Sequence, residues 1–392
     1  MDCGGMTDVF IFLEDLMKTG IEELDIRKLG FGLMRLPEAD GRIDLKSTIE
    51  MVDCFMQNGF TYFDTAYVYY DGESERIAKK AVTERYPRES FLLATKLPGW
   101  EISTKAGMKE LFETSLERTG AGYFDVYLLH SVMRENRSRY DDAGAWEFVR
   151  ELKEKGLVRF WGFSYHDSAE FLDELLIRHP EVDLVQLQIN YADWNNSIIQ
   201  SRACYETARR HNKPVIIMEP LKGGLLGDVP QNIKDGLSKA NPQMSMPEWA
   251  LRFGISLDGV INVLSGMSSL GQMKENVNAM KNERPLTAGE FEAAVKAGNA
   301  INESAAIPCT SCRYCVEVCP QGIKIPDLFV NMNNYLIYKN LENTKGHYGW
   351  LISGGGSARA GACAECGSCE QRCPQHIRII DTLKEVSKIF DG

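Results

Sequence analysis

A chain of 392 residues, 44% hydrophobic and 25% charged, has material for two or three folded units and a real core. Its formal net charge of -11 argues against a protein that tracks nucleic-acid phosphates, which needs basic stripes. No run approaches the roughly 18–20 apolar residues of a membrane helix, and the run from Val9 to Leu13 follows Asp8 with no basic residue before it, so a cytoplasmic protein without a membrane partner is expected.

Residues 1–28 are read as an N-terminal extension, with Met1, Met6 and Met17 leaving the native start open. The stretch from Leu29 to Arg35 looks like a dinucleotide glycine loop, but Arg35 stands where the third glycine belongs and Pro37 where a helix should open. It is better read as a first strand. From there strands and helices alternate. Further strands are expected at Phe60–Asp64, Phe91–Lys96, Phe124–His130, Val158–Phe163, Val182–Leu187, Val215–Met218 and Val260–Leu264. Helices are expected at Leu45–Asn58, Ser74–Arg85 and Ala106–Thr119, near 142–155, 168–178, 197–211, 246–254 and 270–282, and at Ala288–Asn302. Eight strands, each followed by a helix, predict an α/β fold, a (β/α)8 TIM barrel over residues 29–304.

Three consecutive strands end on an ionisable group: Asp64, Lys96 and His130. A buried carboxylate and a buried ammonium are each costly alone and tolerable together, so Asp64 and Lys96 are expected as a pair in one polar pocket at the barrel edge where active sites are built.

Beyond residue 304 the composition changes. Residues 305–392 hold 9 Lys and Arg against 8 Asp and Glu, so the acidity lies in the first part, and eight of the 11 cysteines crowd into two short runs. Cys309, Cys312, Cys315 and Cys319, then Pro320, and Cys363, Cys366, Cys369 and Cys373, then Pro374, both read C-x2-C-x2-C-x3-C-P. This is the spacing of a bacterial ferredoxin with two 4Fe–4S clusters. A zinc site is the lesser reading, because nothing about zinc calls for this duplicated compact spacing. The fourth cysteine of each run serves the other cluster in such modules, so Cys309, Cys312, Cys315 and Cys373 are expected around one cluster and Cys363, Cys366, Cys369 and Cys319 around the other. Between the runs lies a long insert with a helix expected at Ile325–Leu341, an aromatic patch of Tyr335, Tyr338, Tyr348 and Trp350, and a turn at Ser353–Ser357. Helix–helix packing is the first reading of those aromatics, and docking of the module on the barrel the second.

Over residues 29–283 the sequence resembles the aldo-keto reductase superfamily. The resemblance implies a catalytic tetrad of Asp64, Tyr69, Lys96 and His130, in which Tyr69 delivers a proton to a carbonyl being reduced by hydride, Lys96 eases ionisation of that phenol, Asp64 holds Lys96, and His130 orients the carbonyl oxygen. Tyr67 and Tyr70 are competing phenols, and only the family spacing selects Tyr69. For the nucleotide the resemblance implies Ser164, Gln186, Met218, Pro220, Leu221, Gly223, Ser265, Ser268, Glu275 and Asn276. Three departures stand out: Tyr165 and His166 follow Ser164 where the family has an amide-binding Asn, Met218 replaces a stacking aromatic, and Gly266 and Gln272 replace basic residues that meet the 2′-phosphate. NADPH and NADH therefore both stay open. Reductases of this kind fused to a ferredoxin module form a recognisable bacterial and archaeal subgroup, which the chain resembles over nearly its full length.

The expectation is an oxidoreductase that reduces a small-molecule carbonyl with NADPH or NADH and carries clusters for electron transfer or for fold stability. A redox partner protein would suit the clusters. A flavin would reconcile two-electron nicotinamide with one-electron clusters, although no motif for one is legible. The alternative is an electron-transfer subunit, or a ferredoxin-dependent reductase, whose barrel does not use nicotinamide.

Overall fold

The computed structural model describes residues 20–21, 26–102, 104–304, 306–309 and 312–392. The expected extension at 1–28 lies almost wholly outside them. Eight parallel strands close into a barrel: β1 Leu29–Gly32, β2 Tyr62–Asp64, β3 Leu92–Pro98, β4 Phe124–Val132, β5 Val158–Tyr165, β6 Leu184–Gln188, β7 Val215–Met218 and β8 Val260–Gly266, with β8 pairing back onto β1. Around it run α1 Leu45–Gln57, α2 Glu73–Ala78, α3 Lys105–Thr119, α4 Arg137–Ala143, α5 Ala145–Glu154, α6 Ala169–Arg178, α7 Ser201–Arg210, α8 Gln231–Ala240, α9 Met246–Ile255, α10 Leu270–Met280 and α11 Ala288–Glu303. Side chains alternate between the two faces of each strand. Outward residues such as Phe63, Leu93, Leu129 and Phe163 join the helices in one large core, while Tyr62, Ala94, Val126, Leu128, Phe160, Leu184 and Ile216 fill the barrel interior. That filled interior is the floor beneath the ionisable strand ends.

Several elements differ from expectation. The helix expected over 142–155 breaks at Gly144, whose φ of 69° ends α4. The helix expected to Arg85 passes after Ala78 into a π turn over Lys79–Thr83. Helix α8 was not anticipated, because its polar sequence buries only Ile233 and Leu237. A two-stranded hairpin, Glu38–Ala39 with Arg42–Ile43, follows β1.

The second unit has its own core, made by α12 Tyr314–Glu317, α13 Ile325–Tyr338, α14 Leu341–Ser353, α15 Ser368–Arg372 and α16 Ile379–Phe390. The insert holds two helices instead of one. Lys339, at a φ of 55°, stops α13, and the Asn340 side chain then accepts from Asn343 N at 3.0 Å to start α14. Gly346 and Gly349 inside α14 weaken its helical signal in sequence. The aromatic patch divides: Tyr335 and Tyr348 pack on Phe390 in the module, Tyr338 packs against the barrel core, and Trp350 faces His166 at 6.3 Å between rings. Among the described residues no helix is long and apolar enough to cross a membrane.

Candidate active site

The strand register explains why the ionisable ends converge. Asp64 lies opposite Ala94, so Lys96 sits two residues further along the same face of β3, and Pro98 lies opposite His130. Lys96 Nζ donates to Asp64 Oδ1 at 2.5 Å, to the Thr65 carbonyl at 2.7 Å and to the Tyr69 hydroxyl at 3.2 Å. Gln186 Nε2, from β6, donates to Asp64 Oδ2 at 3.0 Å. Lys96 is 1% exposed and Asp64 3%, so neither charge would be tolerable without the other. All three ammonium protons are thereby used. The phenols separate as well. Tyr67 lies under the Arg118 guanidinium, 4.3 Å from its ring, and the Tyr70 hydroxyl accepts from Leu36 N at 3.1 Å, while Tyr69 alone reaches Lys96. His130 stands 5.8 Å from the Tyr69 ring and 5.2 Å from that of Trp100.

The backbone is held in sparsely populated conformations beside Tyr69, His130 and Met218. Tyr70, Ser131 and Glu219 follow Tyr69, His130 and Met218 directly, with φ values of 51°, 54° and 58°. Such left-handed non-glycine residues cost energy and gather at sites whose geometry is fixed by the surroundings.

Burial lifts the Tyr69 phenol above its ordinary value; the Lys96 ammonium opposes this, and Asp64 and Glu219 add to it. The ammonium therefore acts in the direction the family resemblance implies, but burial outweighs it and the phenol stays protonated at neutral pH. For Lys96 burial alone would lower the pKa, yet Asp64 and Tyr69 together hold it above the usual lysine value. His130 is driven well below the ordinary histidine range, first by burial, then by Lys96 and His166, so it is a neutral imidazole with an N–H to give. Burial also takes His166 down to about 4.

These histidines carry a pH prediction. A histidine with a depressed folded pKa gives up a proton that the unfolded chain would hold, so its contribution to stability is present above the ordinary value of 6.5 and is lost as pH falls towards the folded value. Urea unfolding of the anaerobic protein should show stability falling from about pH 6.5 down to about 4, and His166→Gln should make that slope shallower. An unchanged slope in the variant would contradict this assignment.

The expected nucleotide residues lie around the same edge, but several are turned inward. Ser164 Oγ accepts from Ser131 N at 2.7 Å, and Asn276 Nδ2 donates to Ser265 Oγ at 2.9 Å. Gln186 is taken up by Asp64 as described. Glu275 is exposed, Pro220 is buried, and Met218 and Leu221 are half-buried. The Ser268 hydroxyl donates to the Arg35 carbonyl at 2.9 Å. After β7 the turn holds Lys222, Gly223 and Gly224 at φ values of 50°, 66° and 98°.

Arg35 and Glu219 are two groups that sequence reasoning left without a role. A side chain on Gly266 would begin within 3.3–3.5 Å of the Arg35 stem, and one on Gly223 would begin 3.2 Å from an Arg35 guanidinium nitrogen. The lost basic position at Gly266 is thus filled in space by a cation from the loop after β1, which makes no hydrogen bond or ion pair through its side chain among the described residues. Glu219 has its carboxyl pushed up by burial, against the pull of Arg35 and Lys222.

In the second unit Cys309, Cys312, Cys315 and Cys373 line one cavity, and Cys319, Cys363, Cys366 and Cys369 line another. Among the described residues neither wall contains a carboxylate or histidine, and Ile325 lines both. Among the described residues no group of three or more His, Cys, Asp or Glu side chains is set to hold a single metal ion. Four thiols around each cavity fit an iron–sulfur cluster, one ligand crossing from each run. Crossing makes a testable pattern of iron content. Cys309→Ala combined with Cys373→Ala should lose about half the iron, no more than either single change, whereas Cys309→Ala with Cys319→Ala should lose nearly all of it. Equal losses in the two double variants would rule out crossing.

Comparison with known proteins agrees with this architecture. Residues 28–298 match the aldo/keto reductase family model and residues 308–377 a 4Fe-4S dicluster domain. The chain is similar to the uncharacterized oxidoreductase YqkF of Bacillus subtilis, 26% identical over 70% of this chain and 94% of the relative, and to the NADH-specific methylglyoxal reductase of Escherichia coli, 24% identical over 67% and 92%. Among solved structures it is similar to the holo form of aldo-keto reductase AKR11C1 from Bacillus halodurans, at 25% identity and a TM-score of 0.59 over 71% of this chain and 94% of the other. With a closed eight-stranded parallel barrel matched across most of the chain and eight paired thiols behind it, the protein belongs to the aldo/keto reductase family and is an oxidoreductase bearing a C-terminal 4Fe–4S dicluster domain.

Proposed function

We propose that the barrel reduces a small-molecule carbonyl compound to an alcohol with NADPH or NADH, Tyr69 being the proton donor. The observation that carries this reading is the single bonded chain Gln186–Asp64–Lys96–Tyr69, which ends on a protonated phenol beside a neutral imidazole. When bound, the nicotinamide supplies hydride to the carbonyl carbon. His130 N–H holds the carbonyl oxygen, and Tyr69 O–H gives it the proton as the alcohol forms. Lys96, 3.2 Å from the hydroxyl and fixed by Asp64, stabilises the phenolate until water reprotonates it. Arg35, the Gly223–Gly224 turn and the Ser265–Ser268 segment would hold the nucleotide phosphates, and the exposed Glu275 the adenine end. The clusters transfer single electrons, which suits a redox partner protein.

One observation favours a second reading, an electron-transfer protein whose barrel takes no nicotinamide: Met218 stands where a stacking aromatic is expected. Titration of the anaerobic, cluster-loaded protein with NADPH and with NADH, following nicotinamide fluorescence and cluster absorbance together, separates them. Saturable binding of either nucleotide supports the reductase. Absence of binding by both moves the assignment to electron transfer.

A further inference from the structure

Helix α14 belongs in sequence to the iron–sulfur module, yet one of its side chains holds a loop at the catalytic end of the barrel. Asn343 Nδ2 donates to the Gly223 carbonyl at 2.5 Å, in the turn after β7. That turn passes through three consecutive left-handed residues, Lys222, Gly223 and Gly224. Such a backbone persists only where its surroundings fix it. Two side chains do so here: Lys222 Nζ donates to the buried Asp193 Oδ1 at 2.5 Å, and Asn343 takes the Gly223 carbonyl. A side chain on residue 223 would begin 2.9 Å from Asn343 Nδ2, so the approach of α14 calls for glycine there as much as its φ does.

The same helix is locked to the walls of the cluster cavities. Ile325, Pro326 and Phe329, at the start of α13, line the first cavity, and Ile325 lines the second as well. Just beyond Phe329, the fully buried Asn331 grips α14 with both ends of its amide. Its Nδ2 donates to the Thr344 carbonyl at 3.1 Å, and its Oδ1 accepts from His347 Nδ1 at 3.0 Å. Thr344 is the residue after Asn343. Tyr348 ties the helix down once more: its hydroxyl donates to Asp391 Oδ1 at 2.7 Å and accepts from Ala360 N at 2.8 Å, just ahead of Cys363. Ile323, Ile325, Phe329, Ile379 and Leu383 belong both to the cavity walls and to the core of the module. Loss of the clusters would leave holes in that core, and a small metal-bearing unit draws part of its folding energy from the metal. A contiguous run of packed and bonded groups thus joins the cluster walls to the turn after β7.

We propose that cluster occupancy and nucleotide binding are coupled through Asn343, which holds the Gly223–Gly224 turn in place only while the clusters keep α13 and α14 ordered. This rests on the reading above, in which that turn binds the nucleotide phosphates. Coupling between two binding equilibria is reciprocal: the clusters tighten nucleotide binding, and bound nucleotide favours retention of the clusters. Asn343 is a positioning residue, since it acts through the turn. The module thereby makes the barrel answer to its cluster supply, in addition to carrying electrons.

The experiment is fluorescence titration with NADPH and with NADH of the anaerobic full chain, cluster-loaded and after removal of the clusters by chelation, in the wild type, Asn343→Ala and Asn343→Gln. Cluster absorbance confirms loading in each. Removing the clusters from the wild type should raise the nucleotide Kd about fivefold. Loaded Asn343→Ala should already show that weaker Kd and change less than about twofold on cluster removal, because the link is cut. Asn343→Gln, which keeps an amide donor, should retain cluster dependence. In the reverse direction, saturating nucleotide should slow iron loss to the chelator EDTA about fivefold in the wild type and not in Asn343→Ala. Equal Kd values for loaded and cluster-free wild type, or an Asn343→Ala variant as cluster-dependent as the wild type, would overturn the proposal. If the wild type binds neither nucleotide, the reductase reading fails separately, and hydrogen exchange of the amides of residues 222–227 judges the link. Exchange about fivefold faster in loaded Asn343→Ala and in cluster-free wild type supports it, and unchanged exchange overturns it.

Discussion

Tyr69→Phe should lower carbonyl-reduction turnover by about 10²–10⁴-fold, the usual worth of a positioned general acid, while nucleotide affinity and cluster absorbance stay at wild-type values. The substitution removes one oxygen and keeps the ring, so the contact of Lys96 Nζ with the ring face, 4.7 Å from its centroid, and the Lys96–Asp64 pair both survive. No neighbouring phenol can substitute. Tyr67 is held beneath Arg118 and Tyr70 is tied to the Leu36 backbone. Steady-state nucleotide oxidation with an aldehyde measures the effect, and unchanged turnover would remove Tyr69 from the mechanism.

Lys96→Met should lower the stability of the barrel by about 3–5 kcal/mol, because it leaves the Asp64 carboxylate buried without its cation. The Asp64→Asn change combined with Lys96→Met should recover much of that loss, since replacing both partners of a buried pair is far less costly than removing one. Activity should not recover, because no cation then faces the Tyr69 phenol. Urea midpoints of the cluster-loaded protein under anaerobic conditions, followed by tryptophan fluorescence, distinguish the single from the double variant. A double variant no more stable than Lys96→Met alone would show that the pair is not the source of the loss.

The eight strands were legible because each is a short β-branched or aromatic run between helical periods. The ionisable strand ends were legible because Asp64, Lys96 and His130 close three consecutive runs. The paired cysteine runs were legible from spacing alone. What the sequence could not convey was orientation and contact between distant segments. Gln186 and Asn276 read as nucleotide ligands, yet both amides turn to neighbours in the fold, Asp64 and Ser265. The effect of Lys96 on Tyr69 was legible in sign, but the larger opposing effect of burial depends on packing around the phenol. Arg35 was noted only as a mismatch in a glycine loop, and its reach across to Gly266 and Gly223 depends on β1 and β8 being neighbours in a closed barrel. Helix α14 carries two glycines and little apolar periodicity, so its packing on the barrel comes from tertiary contacts such as Asn343 to Gly223.

The central claim is that hydride passes directly from nicotinamide to a carbonyl carbon in the barrel, without the clusters as intermediates. Turnover with NADPH or NADH deuterated at the transferable C4 position, followed by mass spectrometry of the alcohol, tests it directly. One deuterium on the carbinol carbon per product molecule is the predicted result. Alcohol formed without that label, its hydrogen drawn from solvent after single-electron steps, would contradict it.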